Sequence, residues 1–332
     1  MRILLAHPGK LRTVPMGRFA LAALRALGHE VTDFDLSSQW ADKLRDRFGR
    51  SSAEPQRSLN QRLRATVDQS RPELLFAIFG FDLSEVSLDY LKRRGVISAC
   101  WWLNDPFQFS RALQKAPRYD LLFSNSLGSV SDYRAAGIQH AHWLPAACDP
   151  SVHRRAEPAP EYRCEVCFAG DWSALREQWC VELARHFELR IFGPWKRKLR
   201  RDSPLWGRVH DGFFSPESMA RMFASASVVF NLHTWYGQWE HGTNPRLFEA
   251  AGCGACQVVD WKRDLAELFD CDSEIIAYTS LADLVPRMRD LLADSGSRLR
   301  LGENAQRRAY AQHTYRDRMQ RLVQLVQGVR PR

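Results

Sequence analysis

The sequence lacks the features that mark membrane-spanning and disulfide-stapled proteins. No apolar run approaches the roughly 18 to 20 residues that a membrane-spanning helix needs. The opening segment MRILLAHPGK turns polar after Ala6, too early for the core of a signal peptide. Eight cysteines among 332 residues are too dilute for a disulfide framework. We therefore expect a cytoplasmic protein with reduced thiols, built from two compact domains.

Signatures of metal and dinucleotide binding are also missing or weak. No DxD-like carboxylate pair stands in a suitable loop, and the loop HPGKLRTVPMG after the first strand lacks the GxGxxG spacing of a dinucleotide site. Two CxxC pairs, Cys164 with Cys167 and Cys253 with Cys256, have the spacing of a zinc site. The first pair falls in a predicted strand, where positions three apart face opposite sides, so we interpret these thiols as core residues. We expect no metal.

Positive charge is abundant, with a formal net charge of +9. Basic residues concentrate in residues 45–64 and in the tract WKRKLRR of residues 195–201. Such a charge attracts an anionic partner: a nucleotide sugar, an acidic glycan, nucleic acid, or the inner face of a membrane, where the protein would bind peripherally. The tracts lack the interleaved aromatic residues of a single-strand binding platform, which disfavours nucleic acid.

Short apolar runs alternate with helical patterns throughout, which predicts parallel sheets covered by helices on both faces. The fold class is α/β, with two Rossmann-like, doubly wound domains facing across a cleft and a C-terminal helix crossing back to the N-terminal domain. The predicted divisions are residues 1–150, a Pro-rich and charged linker at 151–163, residues 164–312, and residues 313–332. Predicted strands occupy residues 2–6, 31–35, 74–79, 96–102, 121–124, 141–144, 165–169, 188–192, 228–232, 257–260 and 274–277.

The segment HGTNPRLFEAAGCG, residues 241–254, carries the most chemical information. Asn244 or Thr243 can cap a helix that begins at Pro245. The unpaired N–H groups and positive dipole end of a helix start suit a diphosphate, and Arg246 adds a charged donor. Glu249 follows on the same helix face, where it can accept hydrogen bonds from a ribose diol or form an intrahelical salt bridge with Arg246.

With these residues in view, the sequence resembles the CgeB-like (spore maturation protein) glycosyltransferases of the GT-B superfamily. The resemblance covers most of residues 164–318 and is looser in the N-terminal half, where WWLNDPF and LPAACDP match. The matching segments are CFAGDWSALRE, LRIFGPW, VVFNLHT, NPRLFEAAGCGACQVVDW, ELFDCDSEIIAYTS and HTYRDR.

The resemblance implies a donor site for a nucleoside-diphosphate sugar, linked to UDP, GDP or dTDP. Glu249 matches the acidic residue that binds the ribose, and Asn244 and Arg246 match the diphosphate-contacting helix start. No resident cofactor is implied, and the absence of a DxD pair agrees with a metal-independent GT-B enzyme. The remaining matches are Gly170 and Arg176, in the loop that contacts the phosphates, and Gly193, Trp195, Gly212 and Phe213, in segments that line the base.

Three residues are candidates for catalysis. Related retaining enzymes place a glutamate eight residues before the ribose-binding one, and here that position is His241. His7 and Asp105 follow predicted strands of the N-terminal domain, which would supply the acceptor pocket. Asp105 could act as general base toward an acceptor hydroxyl or could cap the next helix.

The predicted function is transfer of a sugar to a glycan, lipid or protein acceptor. Two alternatives stay open: a nucleotide-sugar epimerase or hydrolase on the same scaffold, and a protein that binds or modifies nucleic acid. An aromatic-rich loop between His233 and His241 carries Trp235, Tyr236 and Trp239, which could stack on a sugar ring or fill the core.

Overall fold

The computed structural model describes residues 1–9, 15–37 and 57–329. The chain divides into two compact units, of which the first combines Met1–Pro145 with Tyr315–Arg332 and the second spans Ala146–Thr314. The predicted linker, residues 151–163, lies within the second unit and holds a short 3-10 turn at Pro160–Tyr162. Residues 10–14 of the first loop and residues 45–56 of the first basic tract lie outside the described residues.

The first unit contains a six-stranded parallel sheet in the order β2-β1-β3-β4-β5-β6. The chain leaves β1 toward β2 and then returns to the other side of β1 with β3, so the topological switch point lies between β1 and β3. The strands are β1 (Arg2–His7), β2 (Glu30–Asp35), β3 (Leu74–Ile78), β4 (Ile97–Trp102), β5 (Leu121–Ser124) and β6 (Ala141–Trp143).

Amphipathic helices cover this sheet. In α1, Phe19, Ala20 and Leu24 are buried, and Gly28 follows with a positive φ of 84° that ends the helix. The C-terminal helix α11 packs against α1, and its Tyr315 ring lies 5.2 Å from that of Phe19. The helices of this unit are α1 (Met16–Ala26), α2 (Arg57–Ser70), α3 (Glu85–Arg93), α4 (Phe109–Lys115), α5 (Leu127–Ala135) and α11 (Tyr315–Gln327).

The second unit is also built on a six-stranded sheet that is parallel throughout, but its strand order differs: β12-β11-β10-β7-β8-β9. Its switch point lies between β7 and β10. The strands are β7 (Cys164–Ala169), β8 (Leu189–Phe192), β9 (Val209–His210), β10 (Ala226–Asn231), β11 (Gln257–Asp260) and β12 (Ile276–Tyr278), and the helices are α6 (Ala174–Leu183), α7 (Pro216–Ser225), α8 (Pro245–Gly252), α9 (Leu281–Ala293) and α10 (Ser295–Gln312).

The eleven predicted strands are all present, most within one or two residues of their predicted bounds. The prediction missed β9, which has only two residues, and α10, whose sequence is mostly polar and has few apolar residues at helical spacing. The CxxC thiols lie in hydrophobic cores, and burial raises the pKa of Cys164 and of Cys256 to about 12. No helix among the described residues combines the length and apolar character that crossing a bilayer requires.

Candidate donor site in the second unit

The switch point of the second unit is the place where this fold offers a ligand site, since loops diverge there to opposite sides of the sheet. Helix α8 follows β10 and begins near the carboxyl end of β7. The link is direct, because Nε of Arg246 donates to the carbonyl oxygen of Ala169, the last residue of β7, at 3.1 Å. The start of α8 is thereby fixed beside the crevice between β7 and β10.

Asn244 is the N-cap of α8, as predicted. Its Oδ1 accepts from the backbone N–H of Leu247 at 3.2 Å. Its Nδ2 donates to Oδ1 of Asn231 at 2.8 Å, and Nδ2 of Asn231 donates back to Oδ1 of Asn244 at 3.1 Å. The helix start is therefore attached to β10 through a pair of amides.

A buried cluster of His233, Asp260 and Lys262 also holds the start of α8 in place. Nε2 of His233 accepts from the backbone N–H of Asn244 at 3.1 Å, so the ring proton lies on Nδ1 and is donated to Oδ1 of Asp260 at 2.7 Å. Nζ of Lys262 lies 2.9 Å from Oδ2 of Asp260. Burial acts to raise the pKa of Asp260, but the contacts with His233 and Lys262 outweigh it and lower that pKa to about 2.

Arg246 and Glu249 form the intrahelical ion pair that the sequence allowed, with Nη1 of the arginine 2.5 Å from Oε2 of the carboxylate. Glu249 is 8% exposed, so this carboxylate is held in place by the cation rather than by water. Among the described residues this is its one side-chain hydrogen bond, which leaves Oε1 as an acceptor. The ion pair and a ligand-binding role are therefore compatible.

Arg176 reaches the switch point from the start of α6. Nε and Nη2 donate to the carbonyl oxygen of Leu232 at 3.0 and 2.8 Å, and Nη1 donates to the carbonyl oxygen of Asp171 at 3.0 Å. Burial lowers the pKa of Arg176 to about 10, so the guanidinium stays charged at neutral pH. It connects the loop after β7 to the end of β10 and adds positive charge there.

The loops after β7 and β8 touch each other at two glycines. A Cβ on Gly193 would lie 2.2 Å from the carbonyl oxygen of Gly170, so this approach requires glycine. The prediction that Trp195 lines the base is wrong for its side chain, because the ring is fully buried in the core. Its Nε1 donates to the same carbonyl oxygen of Gly170 at 2.8 Å. Trp195 instead supports the loop after β7 from the core side.

Gly212 and Phe213 follow β9 at the opposite edge of this sheet. Gly212 has a φ of 136°, a conformation that other residues rarely adopt. Phe213 is 68% exposed, which is exceptional for a phenyl ring and leaves its face open to a ligand. The contact of Gly212 and Phe213 with a base stays a prediction.

His241 is partly exposed and lies in the loop that leads into α8. Its carbonyl oxygen accepts from Nε1 of Trp235 at 3.0 Å, which folds the aromatic-rich loop back on itself. The following Gly242 has a φ of 80° and donates its N–H to Oδ2 of the buried Asp264 at 3.0 Å. The loop therefore presents His241 from a fixed backbone.

The two candidate residues of the first unit are placed differently. His7 is buried at the end of β1, where Nδ1 accepts from the backbone N–H of Gly9 at 3.1 Å and Nε2 lies 2.7 Å from Oδ1 of Asp33. Both ring nitrogens are engaged, so His7 has no free site for an acceptor proton in this arrangement.

Asp105 is fully buried, which contradicts direct contact with an acceptor hydroxyl. Oδ2 accepts from the hydroxyl of Ser124 at 2.6 Å and Oδ1 from the hydroxyl of Tyr133 at 3.1 Å. Burial raises the pKa of Asp105 to about 7. The capping alternative is also wrong, because α4 begins after Gln108. Asp105 instead fixes the segments that follow β4 and β5.

Sequence reasoning missed the residues beneath the helix start, namely Asn231, Asp260, Lys262 and Asp264. One signal was present: Asp260 directly follows the apolar run of β11, at the strand end where polar residues collect. Its partner Lys262 lies two residues further on, but its partner His233 comes from the loop after β10, and no spacing in the sequence connects these two loops.

Comparison with known proteins adds an independent finding. Residues 176–324 match the model of a family described as glycosyl transferase-like. No curated protein matches the sequence.

Solved structures match along nearly the whole chain. HepE of Anabaena, in complex with UDP and glucose, is 14% identical, with 99% of this chain and 100% of that chain covered and a TM-score of 0.68. Sucrose-phosphate synthase of Thermosynechococcus elongatus is 13% identical, with 99% and 98% covered and a TM-score of 0.69. A glycosyltransferase of Rickettsia africae is 8% identical, with 98% of each chain covered and a TM-score of 0.65.

Together these findings confirm the GT-B fold and identify a glycosyltransferase. The domain that matches the family model extends from α6 to α11 and contains the helix start described above. The narrower resemblance to CgeB-like enzymes is not among the matches and stays a prediction.

Proposed function

We propose that this glycosyltransferase takes its sugar from a nucleoside diphosphate whose pyrophosphate lies at the start of α8. The observation that carries this proposal is the capped helix start at the switch point, with Arg246 and Glu249 fixed beside it. HepE, which shares the fold, was solved with UDP and glucose, and this supports UDP as the first nucleotide to test.

In the proposed reaction, the bond between the anomeric carbon and the diphosphate oxygen breaks, and its electron pair leaves with the nucleoside diphosphate. An acceptor hydroxyl oxygen forms the new bond to the anomeric carbon, and its proton passes to the departing diphosphate or to solvent. Negative charge therefore grows on the diphosphate as the bond breaks. The helix dipole and the guanidinium groups of Arg246 and Arg176 would stabilise that charge.

Glu249 is proposed to bind the ribose. Its Oε2 is occupied by Arg246, while Oε1 can accept from a hydroxyl. A carboxylate that is 8% exposed needs its cation, so the same residue pair would hold the pentose and the phosphate in a fixed relation. Phe213, with its exposed ring, is the proposed contact for the base.

The proposed mechanism needs no metal ion, because protein cations and a helix start supply the positive charge that a divalent ion supplies in other transferases. His241, at the position of a second glutamate in related retaining enzymes, would face the transferred sugar. The acceptor is a glycan, lipid or protein, and the positive net charge of +9 favours an acceptor or a membrane surface that carries negative charge.

A thermal-shift panel of UDP, GDP and dTDP tests the donor site. A nucleotide at about 100 times its Kd should stabilise the protein by about 2.7 kcal/mol. The variant Glu249→Ala should stay folded and lose this shift. Its matched control is Glu182→Ala on the exposed surface of α6, where Glu182 pairs with Arg185, and this control should keep the shift. An undiminished shift in Glu249→Ala would contradict the ribose assignment, and no shift with any nucleotide would contradict the donor site.

Turnover assays separate transfer from the alternative reactions. A transferase consumes its UDP-sugar in proportion to the acceptor supplied. Rapid release of free sugar, or conversion to an epimeric UDP-sugar, with no acceptor present would identify a hydrolase or an epimerase instead. Nucleic acid should not compete with UDP at moderate salt.

A further inference from the structure

Two tryptophans of the second unit remain unexplained by the donor site. Trp239 is 36% exposed and Trp261 is 42% exposed, although large aromatic side chains contribute most to stability when they are buried. Neither indole has an aromatic neighbour or a hydrogen bond to Nε1 among the described residues. Both indoles line one open pocket of about 490 Å³, a size typical of small-ligand sites.

The pocket lies at the carboxyl ends of β11 and β12, on the side of the sheet away from β7. Trp261 follows β11 directly, Trp239 belongs to the loop after β10, and Thr279 follows β12. The start of α8 belongs to the crevice between β7 and β10, and none of Arg176, Arg246 or Glu249 lines this pocket. It is therefore a site separate from the proposed pyrophosphate contacts.

Hydrogen bonds between the three loops hold the pocket open. The hydroxyl of Tyr236 donates to the carbonyl oxygen of Thr279 at 2.5 Å. The N–H of Trp261 donates to the carbonyl oxygen of Tyr278 at 2.7 Å, and the N–H of Arg263 donates to that of Glu240 at 2.7 Å. The walls are thus fixed before a ligand arrives, which lowers the entropic cost of binding.

The polar groups of the pocket suit a neutral ligand with many hydroxyls. Lys262 is neutralised by Asp260 at 2.9 Å, and Glu240 lies 3.6 Å from Arg263 at the exposed rim. The amide of Gln238 is exposed and makes no side-chain hydrogen bond within the described part of the chain. The lining thus offers flat apolar faces, indole donors and an amide, without an unpaired cation for a phosphate.

We infer that this pocket binds a pyranose ring of a saccharide. A pyranose has one face of C–H groups that packs on an indole and a rim of hydroxyls that hydrogen-bond to indole N–H and amide groups. The ring would stack on Trp261 or Trp239, with its hydroxyls directed to Gln238 and to the rim. This site goes beyond the proposed function, because a free saccharide would occupy it without any nucleotide.

Fluorine NMR of the full chain labelled with 5-fluorotryptophan tests this inference. The sequence contains 11 tryptophans, and Trp239→Phe and Trp261→Phe assign the two resonances of interest. Titration with glucose, N-acetylglucosamine and maltotriose should move these two resonances saturably for at least one saccharide and leave the other nine in place. Sorbitol, an acyclic polyol without a ring face, should have no effect.

Variants give the second arm of the test. Trp261→Ala should weaken saccharide binding at least tenfold while the thermal shift with UDP is retained, which shows that the variant is folded. Glu249→Ala should do the reverse, with saccharide binding intact, so failure of one site is distinguishable from failure of the other. The inference is overturned if no saccharide moves the two resonances, or if sorbitol or uridine moves them equally well.

Discussion

Both units are doubly wound, six-stranded parallel sheets, but they use the polar residues at their strand ends in opposite ways. In the second unit, Arg246 and Glu249 pair with each other at a capped helix start and keep part of their surface accessible. In the first unit, His7 and Asp105 are buried, and their acceptor atoms are filled by neighbouring N–H and hydroxyl groups. A shared architecture therefore does not imply equal sites.

The difference begins with how each helix starts. Helix α8 has Asn244 as an N-cap whose amide is tied to β10, so the orientation of its first turn is fixed. Helix α1 begins after Pro15, whose side chain has no hydrogen-bonding group to cap the helix. A ligand anion gains most from N–H groups that are already oriented, and this favours the second unit as the site of the nucleotide.

The largest expected effect is on the pH dependence of stability and concerns Asp105, a carboxylic acid that is buried in the first unit. Its pKa of about 7 lies above the ordinary value of 3.8, so the folded state holds a proton that the unfolded chain releases. The resulting stabilisation is complete below about pH 4 and is lost as the pH rises through 7. This loss amounts to about 1.4 kcal/mol per pH unit, or ~4 kcal/mol over the window from 3.8 to about 7.

The variant Asp105→Asn should remove this contribution to the pH dependence. Urea unfolding at pH 5 and at pH 7.5 gives the free energy of unfolding for both proteins, and the difference between the two pH values should be smaller in the variant. Asp202→Asn, at an exposed residue that pairs with Arg200, is the matched control and should follow the native protein. An identical pH dependence in Asp105→Asn would show that this carboxyl is ionised in the folded state.

The second effect concerns Arg246 and tests the site of the second unit. Arg246→Met removes the cation beside the proposed diphosphate and leaves Glu249 without its partner. Loss of one such stabilising donor lowers turnover by about 10²- to 10³-fold. Initial rates with a saturating UDP-sugar measure this loss.

Arg221→Met is the control for this experiment, because Arg221 lies on α7, is half exposed and pairs with Glu161 at 3.9 Å. It should retain its native rate. A loss below tenfold in Arg246→Met would indicate that the diphosphate charge is stabilised elsewhere, and the contrast between the two units would lose its main support.

The fold could be predicted well from the sequence, because buried parallel strands are nearly continuous apolar runs. The strand Gln257–Asp260 has its predicted bounds, and α8 begins at Pro245 as predicted. Exceptions follow from length and polarity: β9 has two residues, and α10 buries only Leu301, Gly302, Ala305 and Ala309. A short strand and a polar helix leave little periodic signal.

The site was predictable only where its residues are neighbours along the chain. Asn244, Arg246 and Glu249 share one helix start, so spacing alone places them together. The cluster of His233, Asp260 and Lys262 joins two loops, and its contacts outweigh burial and keep the carboxylate of Asp260 ionised. Asp105 and Trp195 are buried, which excludes the ligand contacts predicted for their side chains. A position at the end of a strand does not tell whether a side chain faces solvent or core.

The smallest expected effect compares a helix cap in each unit. Asn244→Ala in the second unit and Ser84→Ala in the first both remove a side chain that accepts from a backbone N–H of the first turn, at 3.2 Å in each case. Each should lower the free energy of unfolding by about 1 kcal/mol, the usual contribution of an N-cap. Asn244→Ala also leaves the buried amide of Asn231 without its partner, which adds to its cost.

Nucleotide affinity then separates the two caps. If α8 binds the pyrophosphate, Asn244→Ala should weaken UDP binding by about five- to tenfold, since 1 to 1.4 kcal/mol of orientation is lost. Ser84→Ala should leave UDP affinity unchanged, because its helix lies in the first unit. Isothermal titration of both variants with UDP measures the difference. Equal affinity in the two would mean that the cap of α8 serves stability alone, and the helix start would have no special role in binding.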